Sequence, residues 1–412
     1  TRDFERLDSE PILVVEGVPS IYRQDYSAFP GSTRTMGEAK APVRFVAIGE
    51  QMGRNIYGRF VALQDYDFSG EIVMVSTAIE AFYMTRIPHE GVLVIADDPL
   101  DIQRSYTLSP RDPTGSIYGT NRLLGQDSPM LWITEDIAED ILRNSGHDLA
   151  ESRQMAAITS TEGLISFTTG TVVEMGIEGT VIENEPAWNV IGHLPGTAGL
   201  PGNQMDDELV VVLAPYDNPP LGPDDDISQG ANDNASGVPL MLEVIRTMQT
   251  SGYQPYRTFL FVAYSGEGLE WGEFVSPPEV SKLLQAKHGF STAFDIEAII
   301  ELRGVGAGSG EGLELLTGGS LRLANLFEEA ARLSGVRRIR GGDNVDMSVV
   351  FETGSAYDSG EEAPRIGVTW DGWEATSRME SDTIDTISAE RLEQSGRVVS
   401  LALMIIGREI DY

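Results

Sequence analysis

The chain has 412 residues, 41% hydrophobic and 23% charged, with 44 glycines and 21 prolines; this is a globular, turn-rich composition with length for two or three domains of roughly 150 residues. Its 64 acidic residues against 29 basic give a formal net charge of -35, a field that repels nucleic-acid phosphates and anionic lipid headgroups and favours divalent cations and basic partners. There is no cysteine, so disulfides, thiolate zinc sites, iron–sulfur clusters and cysteine nucleophiles are excluded together.

No run of about 18 apolar residues occurs, so no membrane-spanning segment is expected. The start, Thr1-Arg2-Asp3-Phe4-Glu5-Arg6, has neither a basic nor an apolar leader pattern and no Met, which reads as a processed or trimmed terminus. Residues 1–185 then read as short strands between turns, among them Val43 to Ile48, Gly70 to Val75 and Gly91 to Ala96, each apolar or β-branched and bounded by Gly, Pro or Asp. One helix is predicted from Glu135 to Leu142, with Thr134 as its cap and Gly146 beyond its end. The expectation is a β-rich first domain.

A boundary is placed near Asn184-Glu185-Pro186, and residues 186–412 change to longer apolar strands alternating with helices. Strands are predicted over Asn189 to Leu194, Glu208 to Ala214, Thr258 to Tyr264, Ala298 to Val305 and Arg365 to Trp370; several are apolar on both faces, as in a central sheet covered by helices. Val238, Met241, Leu242, Ile245 and Met248 recur at helical spacing, as do Leu392, Val399, Leu403 and Ile406 near the end. The fold class expected is α/β, a mixed central sheet flanked by helices, beside the β-rich domain.

Open α/β sheets bind ligands beyond the carboxyl ends of their strands. After the strand ending at Ala214 come Pro215-Tyr216-Asp217, an acidic loop with Asp224, Asp225 and Asp226, and the run Gly230-Ala231-Asn232-Asp233-Asn234-Ala235-Ser236-Gly237; after Tyr264 comes Ser265-Gly266-Glu267-Gly268. The eight-residue run followed by a strand ending in Ser265-Gly266-Glu267 resembles the family twenty-eight metallopeptidases, di-zinc aminopeptidases and carboxypeptidases related to glutamate carboxypeptidase and, by loss of zinc, to the transferrin receptor. Asn189-Val190-Ile191-Gly192 and Ser381-Asp382-Thr383-Ile384-Asp385-Thr386-Ile387 extend the resemblance over about residues 186 to 412. Segment 70–142 is similar to the protease-associated (PA) domain that accompanies this family.

The resemblance implies a zinc-aminopeptidase-like (phosphorylase/hydrolase-like) fold and two zinc ions bridged by an aspartate, with a glutamate taking a proton from the attacking water. Carried over position by position, Asp233 matches the bridging aspartate, Asp217 the structural aspartate and Glu267 the general base. The remaining ligand positions do not match: Pro215 stands for a histidine, Gly268 for a glutamate, Arg303 for an aspartate, and Met379 or its neighbour Arg378 for the last histidine. Proline has no donor atom for a metal, and a guanidinium repels zinc while it pairs with a carboxylate. Arg303 is therefore expected within hydrogen-bonding reach of Asp233 or Glu267. Of the histidines His89, His147, His193 and His288, none falls on a ligand position; His193, at the end of a neighbouring strand, is the one placed to substitute.

These residues set the functional expectation: a catalytically inactive, extracellular or cell-surface protein of peptidase fold, with a binding or assembly role and no cofactor. Its partners would be further copies of itself, another protein, a peptide or a small ligand, and not nucleic acid. Two alternatives stay open. One is an active zinc-dependent aminopeptidase with atypical ligands; the other is a calcium- or sugar-binding adhesive protein, with Asp224, Asp225 and Asp226 as oxygen ligands for calcium. Asn234-Ala235-Ser236 is a formal glycosylation sequon, read as unmodified because it lies inside the helix-opening run.

Overall fold

The computed structural model describes residues 2–29, 36–48, 63, 65–84, 87–97, 99–103, 108–111, 128–158, 164–186, 188–197, 205–218, 229–265, 295–317, 320–336, 339–341, 364–377 and 379–409. Its contacts divide the chain into Thr1–Pro186 with Pro220–Ile227, and Ala187–Pro219 with Ser228–Tyr412.

The first unit contains β1 (Arg2–Leu7), β2 (Ile12–Val15), β3 (Val18–Pro19), β4 (Tyr26–Ala28), β5 (Gly37–Ile48), β6 (Ile72–Val75), β7 (Gly91–Ile95), β8 (Leu108–Arg111), β9 (Met130–Ile133), β10 (Leu164–Ile177) and β11 (Gly179–Glu185). Its helices are α1 (Ala78–Met84), α2 (Pro99–Gln103), α3 (Glu135–Leu142) and α4 (Leu149–Ile158). Eight strands form one sheet in the order β3-β2-β10-β5-β6-β7-β9-β4, and β11-β1-β8 form a second. The central strands β5, β6, β7 and β9 run parallel. Alternation along β7 sends Leu93 and Ile95 into one apolar cluster and Val92 and Val94 into another, so the sheet is covered on both faces. Helix α3 starts where its sequence directs, with the Thr134 hydroxyl accepting from the Ile137 N–H at 3.4 Å.

The second unit contains β12 (Val190–Leu194), β13 (Glu208–Pro215), β14 (Thr258–Tyr264), β15 (Asp295–Leu302), β16 (Leu313–Thr317), β17 (Ile339–Gly341) and β18 (Arg365–Trp370), with helices α5 (Gly237–Thr250), α6 (Leu321–Ser334) and α7 (Ala389–Ile406). The seven strands are ordered β12-β14-β13-β15-β18-β16-β17. The four central strands are parallel, whereas β12 runs against β14 and β16 against β18, with β17 parallel to β16, which makes the sheet mixed. Along β13, Val210, Val212 and Ala214 pack with Leu240, Val244 and Leu403 from α5 and α7, while Leu209, Val211 and Leu213 pack on the opposite face. This two-sided burial explains why the strand reads as an unbroken apolar run.

Two sequence expectations are corrected by this geometry. The strand expected over Ala298 to Val305 ends at Leu302, because Gly304 adopts φ +59 and turns the chain out of the sheet. His193 pairs with Leu260 near the start of β14. Since β12 runs antiparallel, its end lies at the amino end of the parallel strands, on the far side of the sheet from their carboxyl ends.

Candidate functional site

At the carboxyl ends of β13, β14 and β15 the Gly230 to Gly237 run opens helix α5, and the side chains of Asn232, Asn234 and Ser236 bond to backbone. Asn232 Oδ1 accepts from Gly306 N at 2.9 Å and from Ala307 N at 2.8 Å, and its Nδ2 donates to the Ala307 carbonyl at 3.0 Å. The Ser236 hydroxyl donates to the Asn232 carbonyl at 2.6 Å and accepts from Val305 N at 3.0 Å. Gly230 sits at φ +56, and a Cβ there would lie 1.7 Å from Asn218 Nδ2, so any side chain would be strained and would displace Asn218. Asn234 is buried and donates Nδ2 to the Asp217 carbonyl at 2.7 Å, which keeps the sequon inside the fold.

Asp382 fixes this run from the other side. Its two oxygens accept the N–H groups of Asn232 and Asp233 at 2.8 and 2.9 Å. Burial nevertheless pushes its carboxyl above the ordinary carboxylate range. The turn that presents it closes on Met379, whose carbonyl accepts from Asp382 N at 3.0 Å.

Asp233 is fully buried, and both of its oxygens are engaged. Arg303 Nε donates to Oδ1 at 2.6 Å and Nη2 to Oδ2 at 3.3 Å, while the Ser377 hydroxyl also donates to Oδ2. The Arg303 guanidinium lies over the Trp373 ring, 5.0 Å from its centroid. Gly304 lets the indole approach, since a Cβ there would meet the ring at 2.7 Å. A cation thus joins the end of β15, the loop before α5 and the Trp373–Ala375 turn.

Asp217 accepts from the Ser265 hydroxyl at 2.6 Å, and the Tyr264 hydroxyl donates to Glu301 at 3.0 Å. Pro215 closes β13 beside Tyr264 of β14 and offers no donor. The structure therefore brings Asp233 and Arg303 into contact, puts Asp217 and Pro215 at the end of the adjacent strand, and places Met379 in the turn that leads to Asp382. Glu267, Gly268, Arg378, His288 and the loop residues Asp224, Asp225 and Asp226 lie outside the described residues.

Sequence reasoning gave no role to Ser377, Trp373, Asn232 or Asp382. Asn232 and Asp382 lie inside quoted motifs, and that placement was the signal available. Ser377 and Trp373 lie in no such motif, and their partners are 144 and 70 residues away respectively.

The family model for peptidase family M28 matches residues 189–349. Over that stretch the α/β unit is similar to peptidase family M28. A search of curated proteins returns no match. Among solved structures, the fold is similar to an aminopeptidase from Aneurinibacillus sp. strain AM-1, with a TM-score of 0.57 and 16% identity over 98% of this chain and 83% of that one. It is also similar to a zinc aminopeptidase from Bacillus subtilis (TM-score 0.50, 17% identity, 100% and 85% covered). A third likeness is to a peptidase M28 precursor from Shewanella amazonensis SB2B (TM-score 0.53, 14% identity, 98% and 82% covered). At these identities the likeness establishes the fold.

The M28 fold implies zinc, and the described residues do not fit it. Zinc takes about four nitrogen, oxygen or thiolate donors. Here the one matching carboxylate, Asp233, has its oxygens bonded to a guanidinium and a hydroxyl. The position expected to add an aspartate supplies the cation itself, and Pro215 adds nothing. No group of three or more His, Asp or Glu among the described residues is arranged to hold a metal ion.

Proposed function

We propose that this chain is a peptidase-fold protein without peptidase activity, used outside the cell or at its surface for binding or assembly. The observation that carries the reading is the commitment of both Asp233 oxygens to Arg303 and Ser377. A bridging carboxylate must offer one oxygen to each of two metals. To do so Asp233 would have to give up a buried ion pair and place the Arg303 charge beside the metals. The active-aminopeptidase alternative requires that exchange. The extracellular placement rests on the acidic composition. The β-rich first unit is read as a protease-associated module on the strand pattern of segment 70–142.

Metal analysis of the purified chain, with an aminopeptidase assay in added zinc and then in chelator, tests the reading. We expect no tightly bound zinc and no chelator-sensitive turnover. About two zinc ions per chain together with hydrolysis that chelator abolishes would establish the active alternative.

A further inference from the structure

Three chain segments are tied together at the carboxyl ends of β13 and β14. Val190 pairs with Ala263, so the residues that enter β12 lie beside the last residues of β14. Asn189 Oδ1 accepts from Ser265 N at 3.3 Å, and the Tyr216 N–H donates to the Tyr264 carbonyl at 3.0 Å. The Tyr216 hydroxyl donates to the Trp188 carbonyl at 2.7 Å, and the Ser265 hydroxyl donates to Asp217 at 2.6 Å. These bonds hold Trp188, Tyr216 and Asp217 on one rim of the α/β unit. Trp188 is 71% exposed and Tyr216 39%, whereas Asp217 is half-buried.

Tryptophan and tyrosine are the residues on which binding free energy concentrates at interfaces, and here both are left in water on a backbone that hydrogen bonds hold in place. The charge around them selects the class of ligand. No Lys or Arg occurs between Arg153 and Arg246, a stretch that contains both rings, and its formally charged side chains are all Asp or Glu. Arg303, at the same end of the sheet, is engaged with Asp233. With a net charge of -35 on the whole chain, the field around the rim concentrates cations and repels anions, and a neutral sugar gains nothing from it. The π face of an indole or phenol is itself attracted to a cation.

Resting on the binding-or-assembly reading above, we infer that Trp188 and Tyr216 form a rim site for the arginine side chains of a basic peptide segment, with Asp217 beside them as the opposite charge. Arginine suits the rings better than lysine, because a guanidinium is planar, stacks on aromatic faces and is more weakly hydrated than an ammonium. A segment with several arginines also gains from the acidic field beyond the two rings, whereas salt screens that field from a single small cation.

Isothermal titration of the full chain at about 150 mM salt tests this with an acetylated, amidated peptide carrying several arginines and with its citrulline counterpart, which keeps the shape and loses the charge. The arginine peptide should bind about tenfold or more tightly than the citrulline peptide. Trp188→Leu should raise its Kd by about fivefold, and Trp188→Phe by less, because a phenyl face attracts a cation more weakly than an indole. The melting temperature should not move in either variant, since Trp188 is mostly exposed. Tyr216→Leu should weaken binding in the same direction; if it fails to fold, Trp188→Leu, outside any strand, decides the matter. Absence of binding, or equal binding of the two peptides, would overturn the inference. So would a Kd that Trp188→Leu leaves unchanged, which would assign the arginine peptide to the diffuse acidic field, or a neutral oligosaccharide that displaces the peptide in a Trp188-dependent manner. Metal content and hydrolysis measured on the same samples separate the two readings. A zinc-free, inactive chain that ignores the arginine peptide fails the rim site alone. A zinc-loaded, active chain whose arginine-peptide binding depends on Trp188 fails the functional reading alone.

Discussion

Arg303 and Asp233 hold opposite charges where water is excluded, so each keeps the other from being a buried, uncompensated ion. Removing one partner is therefore worse than removing both. Arg303→Met should cost about 3–5 kcal/mol in urea unfolding, since the Asp233 carboxylate is left facing an apolar side chain. Adding Asp233→Asn to that variant should recover at least half of the loss, because an amide is far less costly to bury than a carboxylate. A double-mutant cycle in which the two losses simply add would show that the pair is not coupled. The sequence exposed the two ends of this contact through Arg303 and Asp233, each beside a recognisable motif. Ser377 and Trp373 could not be read in the same way, since a serine or tryptophan in a turn acquires its role only when the turn is folded against a distant loop.

At the scale of elements, the strands and helices of the α/β unit were legible wherever one-dimensional pattern and burial agree. Strand β14 and strand β18 have the bounds expected from their apolar runs, and α5 and α7 follow their helical periodicity. The end of β15 was not legible, because Val305 is as apolar as the strand and only the φ of Gly304 shows that the chain has already turned. The joint between α5 and β15 carries a prediction. A Cβ at Gly237 would lie 2.1 Å from the Leu302 carbonyl oxygen. Gly237→Ala should therefore destabilise the protein by about 1–3 kcal/mol through overpacking, more than the roughly 0.5–1 kcal/mol that alanine gains over glycine within a helix. A variant as stable as the parent in thermal unfolding would mean that the helix moves away from the strand at no cost.

For the whole molecule, the dominant fact is a net charge of -35 that the described ion pairs only locally offset. Self-repulsion of this size opposes the compact state, and salt screens it over a Debye length of about 8–10 Å near physiological ionic strength. Melting temperature should accordingly rise between about 50 mM and about 500 mM sodium chloride, and by less in a variant with several exposed glutamates changed to glutamine. A melting temperature that falls with salt would mean that favourable ion pairs outweigh the repulsion. No helix among the described residues is long and apolar enough to cross a membrane.

By itself the sequence determined the kind of domain in residues 189–349 and the chemistry absent at Pro215 and Arg303, since strand hydrophobicity, the glycine-rich helix opening and the presence or absence of donor atoms are local properties of the chain. It also fixed the acidity and the lack of thiols. Only the tertiary structure decided what Arg303 does, because a guanidinium at a strand end can face solvent or a carboxylate. The fold chose Asp233 by bringing β15, the loop before α5 and the turn at Ser377 together around one buried charge. The direction of β12 was likewise invisible in one dimension, because an apolar strand reads the same in either orientation. Its antiparallel pairing with β14 moved His193 away from the site and left Val190 exposed.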